Sequence, residues 1–487
     1  MALELFPGKH LFVDDFRIEG MTAARRFLNR PRKHADNPIF CGECGWEAKG
    51  MYGHCLYDRE RGLFRMWYTA FGGGVVGKRV LGLDNPPFSV QENYICYAES
   101  EDAVHWQRPA AGMVEYDGST DNNIVFQSMR TPGRASIQEL IDDPFEEDPQ
   151  KRYKMMYLDQ AGEKEAGGGL SPDQMLRLYA YSPDGIHWTK LPPQADAVGR
   201  LFMVTRYLDV TPAGIIDPEA RYIIYGQRGS PWKTRQIGRR DSNDFLNWSE
   251  NRPVLESSLR DIPGEELYYM ATATINQTYA GLHFGVLGAY YTNLSHEFNP
   301  ARNHGVTEAQ LAFSRDSVRW QRWREPLIAR GPKGSFDFGG VYCGFPAISE
   351  DGICFLYSGH STPHGDKSSI PLLGLATMRL DGFVAVEAEG YMEGSLLTRP
   401  HHWKASELRV NVQSTGGTLR VQLQDETKTP VAGYTFADGD PIREDSLDQR
   451  VTWQGRGDLS ALRDRMVAVQ FRFTPEVRLY SYTLTSG

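Results

Sequence analysis

One pattern occurs four times in this chain. The pattern is S-x-D-x-x-x-W, carried by Ser100, Asp102 and Trp106, then Ser182, Asp184 and Trp188, then Ser242, Asp244 and Trp248, and last Ser314, Asp316 and Trp320. The first two copies agree more widely, as YAESEDAVHW and YAYSPDGIHW. The copies start 82, 60 and 72 residues apart, the length of a supersecondary unit. Repetition at such a period predicts a propeller, a solenoid or another array. Ser and Asp can cap backbone N–H groups in a tight turn, and the Trp is expected to plug the gap between adjacent sheets. Four copies cannot all be one active site, so the motif is read as scaffolding that fixes the register of everything between its copies.

Between the copies lies a second recurring pattern, two apolar runs joined by an acidic or glycine-rich turn. It is seen in HCLYDRERGLFRMWYTAF, ELIDDPFEEDPQKRYKMMYLD, LDVTPAGIIDPEARYIIYGQR, ATATINQTYAGLHFGVLGAYY and FPAISEDGICFLYSGHS. Each reads as a β-hairpin. The first four are followed by the Trp motif, the fifth by LGLATMRLDGF, which lacks it. Five units predict an all-β chain whose residues 1–383 form a five-bladed β-propeller. LFVDDFRIEG near the N-terminus is expected to supply the strand that closes the last blade, which would put Asp14 and Asp15 on an outer strand or turn. From Val384 the pattern changes. LRVNVQ, TLRVQLQ and MVAVQFRF alternate strictly, which predicts an accessory, jelly-roll-like β-sandwich over residues 384–487.

Composition narrows the function. The net charge of −9 comes with no basic stretch, which argues against a nucleic-acid or anionic-membrane partner. Aromatics at 12% suit β structure and stacking on sugar rings. The N-terminus shows no signal-peptide pattern, no apolar run approaches the roughly 20 residues that span a bilayer, and the six cysteines lack dense disulfide spacing. A cytoplasmic protein with reduced thiols is therefore expected. Cys41-x-x-Cys44 with His54 and Cys55 has no second pair to close a tetrahedron, so no metal site and no cofactor are predicted. No loop demands calcium, although a structural calcium is left open, as is a homo-oligomer.

The register locates candidate chemistry. The innermost strand of each blade should line a central channel, and the polar residues leading those strands are Glu47, Glu139, Arg206, Glu265 or Glu266, and Asp337. Carboxylates gathered in one channel repel unless some stay protonated, and that is how an acid and a base can be held side by side. Tyr52, His54, Arg134, Arg206, Arg228, His360 and His364 lie on or next to these strands and could bind sugar hydroxyls or a carboxylate.

YAESEDAVHWQRP resembles the S-x-D-L-x-x-W strand of glycoside hydrolase family 32, and the overall organisation is similar to the five-bladed group of families 32, 43, 62, 68, 117 and 130. Family 32 also carries an appended β-sandwich. The W-x-N-D-P-N-G motif of that family is absent, as is a clear R-D-P; the IDDP at Ile141–Pro144, with its Asp142, falls in the turn after the strand, which favours Glu139. The resemblance implies cleavage of a glycosidic bond in a small glycan or oligosaccharide, a furanoside among the candidates. Glu266 would protonate the leaving oxygen, and Glu47 or Asp337 would attack the anomeric carbon or activate water. Two alternatives stand beside it. One is a family-130-like phosphorylase with Arg206, Arg228, His360, His364 and Lys367 around phosphate, and the other a carbohydrate-binding propeller without catalysis.

Overall fold

The computed structural model describes residues 8–72, 92–129, 133–143, 146–160, 175–192, 209–212, 222–229, 234–274, 279, 282–292, 305–364, 366 and 368–485. Among them there is no α-helix, only strands and short 3-10 turns such as Gly45–Glu47.

Five antiparallel sheets of four principal strands follow one another. The first is Met51–Asp58, Leu63–Phe71, Asn93–Ser100 and Ile124–Phe126, paired in that order. The second runs from Ala135–Asp142 through Tyr153–Gln160 and Met175–Ser182 to Thr189–Lys190. The third is Asp209–Pro212, Tyr222–Gly229, Arg235–Ser242 and Arg252–Leu255, and the fourth Glu265–Thr274, His283–Tyr291, Val306–Ser314 and Trp320–Ile328. The fifth pairs Gly340–Cys343, Ile353–His360, Leu372–Met378 and Arg32–Lys33, and a single parallel pairing, Thr307 with Gly340, ties it to the fourth. In each, the first-named strand, called the leading strand below, stands at one end of the order given, and in the fifth sheet it is the strand that meets the fourth.

Second strands such as Leu63–Phe71 are buried along almost their whole length, because both faces meet a neighbouring sheet. The first and second sheets share a core around Trp67, Ile137 and Tyr157. The second and third share Met156, Tyr179 and Tyr222, the third and fourth Tyr225, Met270 and Leu287, and the fourth and fifth Val286, Leu311 and Phe355. Met66, Leu356 and Leu373 then join the fifth to the first, so the series of shared cores closes on itself.

The Trp motif builds the expected capped turn. In every copy the Asp carboxylate accepts backbone N–H groups two and three residues on, as Asp184 does from Ile186 and His187 at 2.8 Å each, while the Ser hydroxyl donates to the same carboxylate. The Trp ring packs between sheets, as Trp320 does edge-on against Tyr225 of the preceding sheet with ring centroids 5.1 Å apart. It donates within its own turn to the carbonyl of the residue after the Asp: Ala103, Gly185, Phe245 and Ser317. Those four residues all have φ between +60° and +79° and are all buried. Three of them make contacts to the preceding sheet beside the Trp ring. Gly185 O also accepts from Trp67 Nε1 at 2.6 Å, Phe245 packs edge-on against Tyr179, and Ser317 O accepts from Tyr225 Oη and Arg239 Nη1. A Cβ on Gly185 would lie 2.4 Å from the Trp67 ring, so only glycine fits there.

The N-terminal segment departs from expectation. LFVDDFRIEG does not complete the last sheet. Gly8–Leu11 pairs with Val477–Thr485, Ile18–Thr22 with Gly394–Thr398, and Ala24–Leu28 with Val384–Ala388. Residues 8–28 thus pair with residues 384–485, and it is Arg32–Lys33 that edges the fifth sheet. The result is a unit of two sheets around one core. Leu408, Val410 and Val412, Leu419, Val421 and Leu423, and Val467, Val469, Phe471 and Phe473 all point into that core, as their alternation requires. Asp381, fully buried, links this unit to the five sheets by accepting from Lys9, Tyr279, Asn411 and Ser481.

Candidate active site

The leading strands of the first, second, fourth and fifth sheets enclose a cavity of about 220 Å³. Tyr52, His54 and Leu56 line it from the first, alternate residues that share one face of a strand. Gln138, Glu139 and Asp142 line it from the second, Tyr269 and Thr272 from the fourth, and Tyr342 and Cys343 from the fifth.

Of the four carboxylates read from the sequence, Glu139 lines this cavity and Glu47, Glu266 and Asp337 do not. Glu139 is 4% exposed and its Oε1 accepts the Leu140 N–H at 3.3 Å. Asp142, on the same strand, is held by Arg152 at 2.7 Å. Glu47 sits in the 3-10 turn before the first leading strand, where Arg108 Nε, Tyr68 Oη and the Glu43 N–H converge on its carboxylate. Asp337 precedes the fifth leading strand and is buried under Lys33, Tyr357 and Ser335. Glu266 pairs with Arg235 at 2.6 Å.

Several predicted binding residues do come together. Tyr52 Oη and His360 Nε2 are 2.8 Å apart, and His360 Nδ1 is 2.9 Å from Ser369 Oγ. His364 bridges Tyr268 Oη and Tyr342 Oη at 3.1 Å each. Arg235, gripping Glu266, lies over the rings of Tyr268 and Tyr290. Since Tyr52 and Tyr342 are also cavity residues, this aromatic and imidazole network borders the cavity. Arg134 lies buried before the second leading strand, bridging Asn93 through its backbone. Arg228 is on the second strand of the third sheet, opposite Gln236. Arg206 and Lys367 lie outside the described residues.

Electrostatics limit the chemistry. Burial pulls the His54 imidazole down to about 4, so it is neutral at physiological pH. Burial pushes the Cys55 and Cys343 thiols far above their ordinary range, which removes them as nucleophiles. Among the described residues no group of three or more His, Cys, Asp or Glu could hold a metal ion. The residues missed from the sequence are Gln138, Tyr268, Tyr269, Tyr342 and Arg235. The first four sit on leading strands already identified, and alternation along those strands was the signal that could have found part of the set.

No known family profile and no curated protein matches the sequence. Solved structures do. The chain is similar to a protein described as "Glycoside hydrolase", with 13% identity, a TM-score of 0.48, and coverage of 72% of this chain and 94% of that one. It is similar to a protein from work on "the GH130 family of mannoside phosphorylases", which "contains glycoside hydrolases that target beta-1,2 mannosidic linkages in Candida mannan", at 15% identity, TM-score 0.45, and coverage of 76% and 96%. It is also similar to a β-1,2-mannobiose phosphorylase from Listeria innocua, at 11% identity, TM-score 0.46, and coverage of 72% and 97%. The structural neighbours of this all-β chain are thus glycoside hydrolases and mannoside phosphorylases.

Proposed function

We propose that the protein is a glycosidase built on a five-bladed β-propeller with an accessory β-sandwich, cleaving a small glycan in the channel between the blades. One observation carries the reading: the cavity between four leading strands holds the buried carboxylate Glu139 among aromatic rings and hydrogen-bonding groups. A concave site with aromatic walls and few convergent polar groups is what a sugar ring requires. Gln138 Oε1, buried on the same wall without a hydrogen-bond partner, is ready to accept a sugar hydroxyl.

In this reading Glu139 takes the proton-transfer role at the glycosidic oxygen or the attacking water. Neutral His54 hydrogen-bonds the substrate, and Tyr52 with His360 positions a ring hydroxyl. Glu266 and its Arg235 partner lie next to the tyrosines at the border of the cavity and serve orientation. Glu47 and Asp337, each buried in an ion pair away from the cavity, are assigned to holding the fold. The second reading, phosphate-dependent cleavage, is favoured by one feature, the clustering of His360, His364 and Arg235 around three tyrosines.

The test is release of product from aryl glycosides and manno-oligosaccharides, with and without phosphate. Turnover without phosphate supports hydrolysis, and a phosphate requirement moves the assignment to a phosphorylase. Wild-type turnover matched by Glu139→Gln would remove Glu139 from the mechanism.

A further inference from the structure

A second polar cluster lies outside the cavity, where the N-terminal segment enters the two-sheet unit. His10 faces Tyr482 across paired strands, with ring centroids 4.8 Å apart. His401 stacks on Trp403 at 5.4 Å. Arg17 is within electrostatic reach of His10, His401 and Tyr482. Six buried atoms on these five side chains have no hydrogen-bond partner: His10 Nε2, Arg17 Nε and Nη1, His401 Nε2, Trp403 Nε1 and Tyr482 Oη. Each residue is at most 6% exposed. Buried polar groups are nearly always satisfied, so six such atoms on neighbouring side chains describe the outline of a missing partner.

The charge count says what that partner carries. Arg17 makes no ion pair among the described residues. Asp14, the carboxylate that acts on it, is held by both arms of Arg315, at 2.8 and 2.9 Å. Both guanidiniums also lie over the Phe16 ring. Two cations therefore share one carboxylate, and a buried cation without a counter-ion is strongly disfavoured. Burial, helped by the Arg315 cation and opposed by Tyr482 and Asp14, pulls Arg17 down to about 10, which leaves it charged at neutral pH.

Tautomer chemistry narrows the anion. His401 Nδ1 is 3.3 Å from the Arg399 carbonyl, so the neutral ring carries its proton there and offers Nε2 as an acceptor. Arg17 and Trp403 can only donate. A partner for the whole set must accept several hydrogen bonds and donate at least one, which hydrogen phosphate does and fully ionised sulfate or acetate does not. We propose that His10, Arg17, His401, Trp403 and Tyr482 form a phosphate-binding site that joins the N-terminal segment to the two-sheet unit, independent of the cavity and its chemistry.

The test is thermal unfolding and equilibrium dialysis of the full chain with inorganic phosphate, with a phosphomonoester such as glycerol phosphate, and with sulfate or acetate at matched ionic strength. Because a ligand bound only by the folded state raises its stability by mass action, phosphate should raise the melting temperature by several degrees and bind at one per chain. Sulfate and acetate should do markedly less. Glycerol phosphate acting as well as phosphate assigns the site to esterified groups, and phosphate alone acting assigns it to the free ion. Arg17→Met, which keeps volume and removes the charge, should lose the shift while leaving glycosidase activity unchanged. Should that variant fail to fold, Trp403→Phe, lacking one donor, must show weaker binding. His360→Gln must keep the shift. Absence of a phosphate effect on the wild type, an undiminished effect in Arg17→Met, or its loss in His360→Gln overturns the proposal.

Discussion

The Trp-motif turns and the leading strands are both parts of every sheet in which the motif occurs, and they obey opposite rules. Each turn repeats the same hydrogen bonds: Ser to Asp, Asp to two backbone N–H groups, Trp to the carbonyl after the Asp. The leading strands share a position and almost nothing else, presenting His54 in one sheet, Glu139 in another and Tyr342 in a third. Identical turns can only join sheets. Dissimilar strands can build an asymmetric cavity, which is what the proposed sugar substrate would need. Repetition in this chain therefore marks assembly, and its failure marks the candidate site.

Substitutions can break that division, the largest effect first. Glu139→Gln should lower kcat/KM by about 10²- to 10⁴-fold, some 3–5 kcal/mol at the transition state, with an unchanged melting temperature. A matching loss of stability would make Glu139 a structural group. Gly185→Ala should do the reverse. Its new Cβ meets the Trp67 ring at 2.4 Å on a backbone at φ +79°, and overpacking with strain is worth about 2–4 kcal/mol. Urea unfolding would show this, with kcat per folded molecule preserved. Asp184→Ala, which strips the turn of its acceptor, should cost about 1–2 kcal/mol by the same measurement.

The pH dependence sharpens the comparison further. Burial pushes the Asp184 carboxyl up, but hydrogen bonds from His187, Ile186 and Ser182 overcome this and bring it down to about 2. A depressed carboxyl stabilises the fold above its unfolded pKa near 3.9 and loses that contribution as pH falls toward 2. His54, His283 and His401 are lowered by burial to about 4, so they favour the fold while neutral. Their contribution is present above about 6.5 and is lost between 6.5 and 4. The urea midpoint should therefore fall in two stages on acidification, and Asp184→Ala should shrink only the second.

The order of strands in the five sheets was legible because the motif spacing recurs and the hairpin patterns between copies are local. Side-chain destinations were less so. Glu139 falls mid-strand, where alternation predicts facing, and it lines the cavity. Glu47 falls in a 3-10 turn just before its strand, where no period applies, and Asp337 is claimed by Lys33 from 304 residues away. The Trp rings read as plugs, and Trp320 does pack between sheets against Tyr225. What the pattern did not reveal is the inconspicuous residue after the Asp, inserted beside the Trp and different in every copy because each faces a different neighbour.

Pairing of residues 8–28 with residues 384–485 also has a meaning in time. Gly8–Leu11, Ile18–Thr22 and Ala24–Leu28 are made before their partners, so they must wait through the synthesis of all five sheets. The five-sheet body is in effect spliced into a smaller unit that can close only once residues 384–485 have been made. A chain stopped at residue 383 would keep its cavity walls and carry three strand edges with nothing to cover them, which is a surface open to aggregation.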